Sequence, residues 1–168
     1  LMYQHLHGIK ATVLRVTNPY GERQRVETAQ GAVGVFLSRA LKNDSIQIWG
    51  DGSVTRDYIH VSDLISAHMD ALTHLRKGGE SGVFNCGYGK GYSVREVLKA
   101  VERVHGAPLP VTYGPRRPGD PAAIVAGAER VRKVLGWQPK YENLDFIVET
   151  ALNWERALAK RNSGGLPD

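Results

Sequence analysis

Apolar residues recur along the chain with two different periods. Val33, Phe36, Leu37, Ala40 and Leu41 are spaced so that one stripe of a helix is apolar. Ile65, Met69 and Leu72 repeat the pattern and predict the inner face of a helix capped by Ser62 or Asp63. Ile147, Val148, Ala151, Leu152 and Trp154 do the same for a final helix over 144–161. Ser93-Val94-Arg95-Glu96 is a capping box, and it opens a helix that runs through Leu98, Val101 and Val104 to Gly106. A shorter helix over 129–135 is closed by Gly136, and residues 1–7 read as the last turns of a helix ending at Gly8. Between the helices lie short β-rich runs at 10–16, 46–49, 56–61, 82–86 and 110–113, the first predicted to be a buried strand. Residues 18–30 are polar and follow a strand, the usual place of a binding loop. Residues 162–168 read as a flexible tail.

Strand and helix alternate, so the fold class is α/β. Four or five short strands are few for 168 residues. The sheet is therefore expected to be incomplete, with an unpaired edge at 10–16, and the chain is expected to be part of a longer protein.

Composition changes this picture little. Hydrophobic residues make up 42% and charged residues 23%, as in an ordinary globular protein rather than a disordered one. The formal charge of +5 favours an anionic partner. No run of five like charges and no aromatic-interleaved basic stripe is present, so a phosphorylated small molecule is expected and nucleic acid is not. The single cysteine, Cys86, rules out an internal disulfide and sits in an apolar run, as a structural residue would. The six histidines are scattered without metal-ligand spacing, so no metal site is expected. No stretch is apolar and long enough for a membrane span, and a cytoplasmic protein is expected.

Four segments carry candidate chemistry. Gly87-Tyr88-Gly89-Lys90-Gly91 follows a strand and precedes a helix, but its spacing is GxGxG rather than GxGxxG. It reads better as a tight turn capped by Ser93 than as a phosphate loop. Arg116-Arg117-Pro118-Gly119-Asp120 sets two guanidiniums beside a carboxylate, a combination suited to a diphosphate and sugar hydroxyls, or to a solvated charged turn. Arg56 begins a strand after the Gly50-Asp51-Gly52 turn, either as a ligand-facing cation or as half of a surface ion pair. Asn18-Pro19-Tyr20-Gly21 lies at a strand's C-terminal end, where α/β sheets bind ligands, or is an Asx turn. No nucleophile–base or paired-carboxylate spacing is present.

In order and spacing, several stretches resemble the extended short-chain dehydrogenases, the NAD-dependent epimerase/dehydratase family of nucleotide-sugar enzymes. They are Leu14-Arg15-Val16-Thr17-Asn18-Pro19-Tyr20-Gly21, Ile48-Trp49-Gly50-Asp51-Gly52, Thr55-Arg56-Asp57-Tyr58-Ile59-His60-Val61-Ser62-Asp63, Phe84-Asn85-Cys86-Gly87, Pro115-Arg116-Arg117-Pro118-Gly119-Asp120 and Leu135-Gly136-Trp137. The resemblance implies that residues 1–168 are the C-terminal part of a Rossmann-type parallel sheet plus the small α/β substrate-binding lobe. It implies a UDP-sugar substrate and a 4-epimerase activity, with dehydratase or decarboxylase as the alternative enzymes and a non-catalytic nucleotide-sugar-binding module as the alternative class. Asn18, Arg56 and Arg117 take the positions that hold the diphosphate. Gln30, Gly31 and Val33 fall at the start of the substrate-side helix, Gln47 and Trp49 at the base, Asp120 at the ribose, and Tyr58 beside Arg56. Val16 and Thr17 take cofactor-side positions, where Val-Thr departs from the aromatic pair usual in the epimerases. The resemblance further implies NAD and a homodimer in the full-length parent, which moves hydride between sugar C4 and NAD with a Tyr-x-x-x-Lys pair as base. This chain contains neither that pair nor the Gly-rich NAD loop. No catalytic residue and no cofactor are therefore expected for it alone, and it is expected to be inactive by itself.

Overall fold

The structure is a computed structural model that describes residues 2–24 and 32–163. The elements in chain order are α1 (Met2–His7), β1 (Thr12–Val16), β2 (Asn18–Tyr20), α2 (Ala32–Lys42), β3 (Ile46–Trp49), β4 (Thr55–His60), α3 (Val61–Arg76), β5 (Gly82–Cys86), β6 (Gly91–Ser93), α4 (Val94–His105), β7 (Val111–Gly114), β8 (Ala123–Ile124), α5 (Glu129–Leu135) and α6 (Leu144–Ser163).

The class is α/β, as the alternation of elements predicts. Among the described residues the strands form three separate sheets. β1 pairs in parallel with β5, and β3 in parallel with β7. The third is built on β4, which pairs in parallel with β2 and β8 and antiparallel with β6. All five expected strands are present. The additional ones, β2, β6 and β8, are two or three residues long and exist only because β4 gives each a partner.

Helices α2, α4 and α6 pack on one another, and their apolar stripes close the main core. Val33, Leu37, Val97, Val101, Ile147 and Leu152 are fully buried there. The capping box of α4 forms as expected: Ser93 Oγ accepts from Glu96 N at 3.2 Å, and the Glu96 carboxylate accepts from Ser93 N at 2.7 Å.

Three expectations need correction. The run 10–16 is not a buried strand: β1 alternates half-buried and exposed residues. Ser62 and Asp63 do not cap α3. Its cap is His60, whose Nδ1 accepts from Ser62 N at 3.2 Å. The inner face of α3 is not Ile65, Met69 and Leu72, which are 58%, 57% and 42% exposed. Ala67 and Ala71 face inward instead, and their small side chains let the helix approach β1 and β2 closely.

Two buried carboxylates tie the pieces together. Asp57, in β4, accepts from the backbone N–H groups of Tyr88 at 3.0 Å, Gly89 at 2.9 Å and Ala126 at 3.2 Å. Asp63, in the first turn of α3, accepts from Lys140 N at 2.9 Å, Tyr141 N at 2.8 Å and the Tyr88 hydroxyl at 2.7 Å. A buried carboxylate is tolerable only with such a set of donors.

Candidate functional site

A cleft of about 340 Å³ opens where the C-terminal ends of β2 and β3, the start of β4 and the turn after β7 converge. Asn18, Gln47, Trp49, Arg56, Tyr58, Arg117 and Asp120 all line it. These seven residues come from four separated stretches of chain. β2 contributes Asn18, whose Nδ2 donates to Asp57 O at 3.2 Å, so the side chain is aimed before any ligand arrives. β3 alternates Ile46 and Ile48 inward with Gln47 and Trp49 outward, which sends the latter two to the cleft.

The two arginines of the cleft are held differently. Arg56 Nη1 donates to Thr55 O at 2.7 Å and Pro121 O at 2.9 Å, while Nη2 is ion-paired with Asp120 Oδ1. Its partner is thus Asp120 and not a carboxylate of the preceding turn. Arg117 lies over the Trp49 ring, 4.9 Å from its centroid, a cation–π contact at the wall of the cleft. The Arg116–Asp120 turn is fixed from within, with Arg116 Nη2 donating to Asp120 O at 3.0 Å. Two guanidiniums against one carboxylate give the cleft a positive balance suited to an anion.

Tyr58 is fully buried behind Arg56, and its ring lies 5.3 Å from that of Tyr20. Burial pushes the Tyr20 hydroxyl up to about 12 against the opposing backbone N–H groups of Ala32 and Val33. Burial and the neighbouring Tyr20 raise Tyr58 as well. Both are therefore neutral O–H groups near pH 7, fit to donate hydrogen bonds and not to act as bases.

Not every expected residue reaches the cleft. Val33 is fully buried in the core, and the neighbouring Ala32, Val35 and Phe36 line the cleft instead. Val16 packs half-buried against the core, and Thr17 lies beside Gly87 with its N–H on Cys86 O at 3.0 Å. Neither lines the cleft. Gln30 and Gly31 lie outside the described residues. Tyr20, Phe36, Val54 and Val94 also line the cleft without having been singled out in the sequence. Their only signal was position: Tyr20 two residues after Asn18, Phe36 on the α2 stripe, Val54 two residues before Arg56, and Val94 inside the capping box of α4. Arg95, which the sequence places on the exposed side of α4, pairs with Asp51 at 3.6 Å and leans on Gly52, so it braces the turn that leads into Arg56.

Within the Gly87–Gly91 turn the amides of Tyr88 and Gly89 are bound to Asp57 and are not offered to a ligand. The Thr17 hydroxyl on that side is buried without a partner among the described residues. Cys86 is buried and its thiol is pushed up to about 11, so it is no nucleophile. Among the described residues no cluster could hold a metal ion, and no helix is long and apolar enough to cross a membrane. A wider groove of about 660 Å³ lies by α4 and α6, but Arg103 pairs there with Asp145 and Arg132 with Glu142.

Residues 1–87 match the profile of the NAD dependent epimerase/dehydratase family. The chain is 46% identical to a UDP-glucose 4-epimerase of Azospirillum brasilense over 90% of its own length and 47% of the relative's. It is 40% identical to one of Halalkalibacterium halodurans over 91% and 50%. Among solved structures it is similar to the UDP-glucose 4-epimerase of Thermotoga maritima with UDP-glucose, with a TM-score of 0.87 and 31% identity over 94% of this chain and 50% of that one. It is also similar to that of Thermus thermophilus in complex with NAD, with a TM-score of 0.81 and 32% identity over 92% and 49%. The chain spans about half the length of the curated relatives it matches.

Proposed function

The chain belongs to the NAD dependent epimerase/dehydratase family, and from that premise we propose that it is the substrate-binding portion of a UDP-sugar 4-epimerase. The observation that carries this reading is the convergence of Asn18, Gln47, Trp49, Arg56, Tyr58, Arg117 and Asp120 on one positively balanced cleft. Arg56 and Arg117 clamp the diphosphate by charge-assisted hydrogen bonds, with Asn18 donating from the β2 side. Gln47 and the Trp49 ring hold the base, and Asp120 accepts from the ribose hydroxyls. The UDP-glucose 4-epimerase relatives support the sugar class. NAD, which belongs to the working enzyme on this reading, is held by residues other than these, as are the acid–base residues. Every role assigned to this chain is binding and orientation. It is expected to be inactive alone and to show no saturable NAD binding.

The test is calorimetric titration with UDP-glucose, UDP, UMP and uridine. UDP should bind more tightly than UMP and uridine. Each charge-assisted contact is worth about 1.5–3 kcal/mol, so Arg117→Ala should weaken UDP-glucose binding about ten-fold or more. The control is Arg103→Ala, since Arg103 is exposed and paired with Asp145 outside the cleft, whereas Arg95 braces the Arg56 turn. Equal affinity of Arg117→Ala and Arg103→Ala for UDP-glucose overturns the assignment.

A further inference from the structure

Resting on that reading, we propose that Asp120 is a latch on Arg56, competing with the incoming diphosphate for the same guanidinium edge and so selecting nucleoside diphosphates over bare polyphosphate anions.

The geometry of Arg56 carries the inference. A guanidinium offers two bidentate edges to an oxyanion, Nη1 with Nη2 and Nε with Nη2. Both include Nη2. Here Nη1 is committed to the carbonyls of Thr55 and Pro121, at 2.7 and 2.9 Å, and Nη2 carries the Asp120 carboxylate. A diphosphate that forks onto Arg56 by either edge therefore meets the Asp120 carboxylate at the shared Nη2, and the repulsion between the two anions drives Asp120 aside. The Arg56 side chain is 15% exposed and that of Asp120 37%, so the partner that can swing is the carboxylate. Arg117 differs: its contact is with the face of the Trp49 ring, 4.9 Å from the centroid.

The exchange has a chemical consequence. A displaced carboxylate exchanges its charge-assisted partner for water unless the ligand supplies donors. Pyrophosphate has no sugar hydroxyls to supply and adds negative charge beside Asp120. A nucleoside diphosphate brings vicinal ribose hydroxyls, which give the released Asp120 what Arg56 gave it before. Asp120 is thus a positioning residue in the free protein and a selectivity residue in the bound one.

The experiment is calorimetric titration of the chain and its Asp120→Asn variant with inorganic pyrophosphate and with UDP, with Glu80→Gln as a control for loss of one negative charge outside the cleft, since Glu80 is exposed and pairs with Lys10. Asp120→Asn should bind pyrophosphate at least three-fold more tightly and UDP no more tightly than the unsubstituted chain. The affinity ratio of UDP to pyrophosphate should therefore fall at least three-fold. Glu80→Gln should change either affinity by less than two-fold. Asp120→Ser serves in place of Asp120→Asn should that variant fail to fold. A latch is excluded if pyrophosphate binding is unchanged or weakened, if UDP gains as much as pyrophosphate, or if Glu80→Gln gives the same gain. The binding-site reading fails separately, and takes the latch with it, if Arg117→Ala leaves UDP affinity unchanged.

Discussion

The side of the molecule that holds the cleft and the side formed by β1 and the outer face of α3 are both rich in apolar residues, but only the first closes over its helix stripes. On the cleft side β4 is buried along its last four residues, and among the described residues the stripes of α2, α4 and α6 leave no large apolar side chain exposed, although Trp49 on β3 and Tyr113 on β7 do stand out. On the other side Val13, Ile65, Met69 and Leu72 stand exposed, as do Met2, Tyr3, Leu6 and Ile9 in and after α1, and among the described residues β1 pairs with β5 alone. What differs is supply of partners rather than hydrophobicity. A single-layer sheet edge flanked by an unopposed helix stripe has the composition of a core without the second layer that makes one.

Asp57 and Asp63 decide whether the two sides unfold together. Removing Asp57 takes the acceptor from three backbone donors, one buried and two part-buried, and a buried unsatisfied donor costs about 1–3 kcal/mol, so Asp57→Ala should lower unfolding stability by about 2 kcal/mol or more. Urea unfolding should still show one transition at lower denaturant. A loss below about 1 kcal/mol, or two transitions in the unsubstituted chain, would mean that the sides are independent.

A smaller effect is expected at the hinge between β4 and α3. His60 accepts from Ser62 at Nδ1 and reaches Thr150 Oγ1 with Nε2 at 3.2 Å, the arrangement of a neutral ring. Burial lowers its pKa, against the opposing charges of Asp63 and Glu22. The folded state thus binds this proton more weakly than the unfolded state. The stabilising contribution is complete above the unfolded value of about 6.5 and is lost as pH falls through the lower folded one. Melting followed from pH 7.5 down to 5.0 should fall more steeply for the native chain than for His60→Asn, which keeps a capping side chain. Parallel slopes would remove His60 from the account.

The smallest effect on stability belongs to the open side. Ile65→Lys with Met69→Lys should change unfolding free energy by about 0.5 kcal/mol or less, as exposed substitutions do. It should nevertheless reduce self-association in sedimentation at high protein concentration. A loss of about 2 kcal/mol would show that this stripe is packed after all.

What could be read from the sequence divides along the same line. The α4 cap was legible because Ser93 and Glu96 satisfy each other within one turn. The α3 face was not, because helical spacing marks an apolar stripe without saying whether anything lies opposite it, and the helix turned its alanines inward instead. Strands β2, β6 and β8 escaped notice because two or three residues carry no period, and Pro19 spoke against a strand. Of the cleft residues, Arg56, Arg117 and Asp120 stood out by charge and by family resemblance. Their state did not: the ion pair joins positions 64 apart, and no local pattern encodes it. Asp57 passed for part of an alternating strand, although a carboxylate in the interior of a buried strand is itself a sign that donors converge there.

The stacking of Arg117 on Trp49 makes the cleft optically distinct. Of the three tryptophans, Trp137 is 1% exposed and lies parallel to the Tyr88 ring, and Trp154 is half-buried on α6, whereas Trp49 is 40% exposed with a cation against its face. The long-wavelength part of the chain's emission, and its sensitivity to a dissolved quencher such as iodide, should come mainly from Trp49. An anion that draws Arg117 off the indole should change both at once, so emission during a titration is expected to report occupancy at the mouth of the cleft.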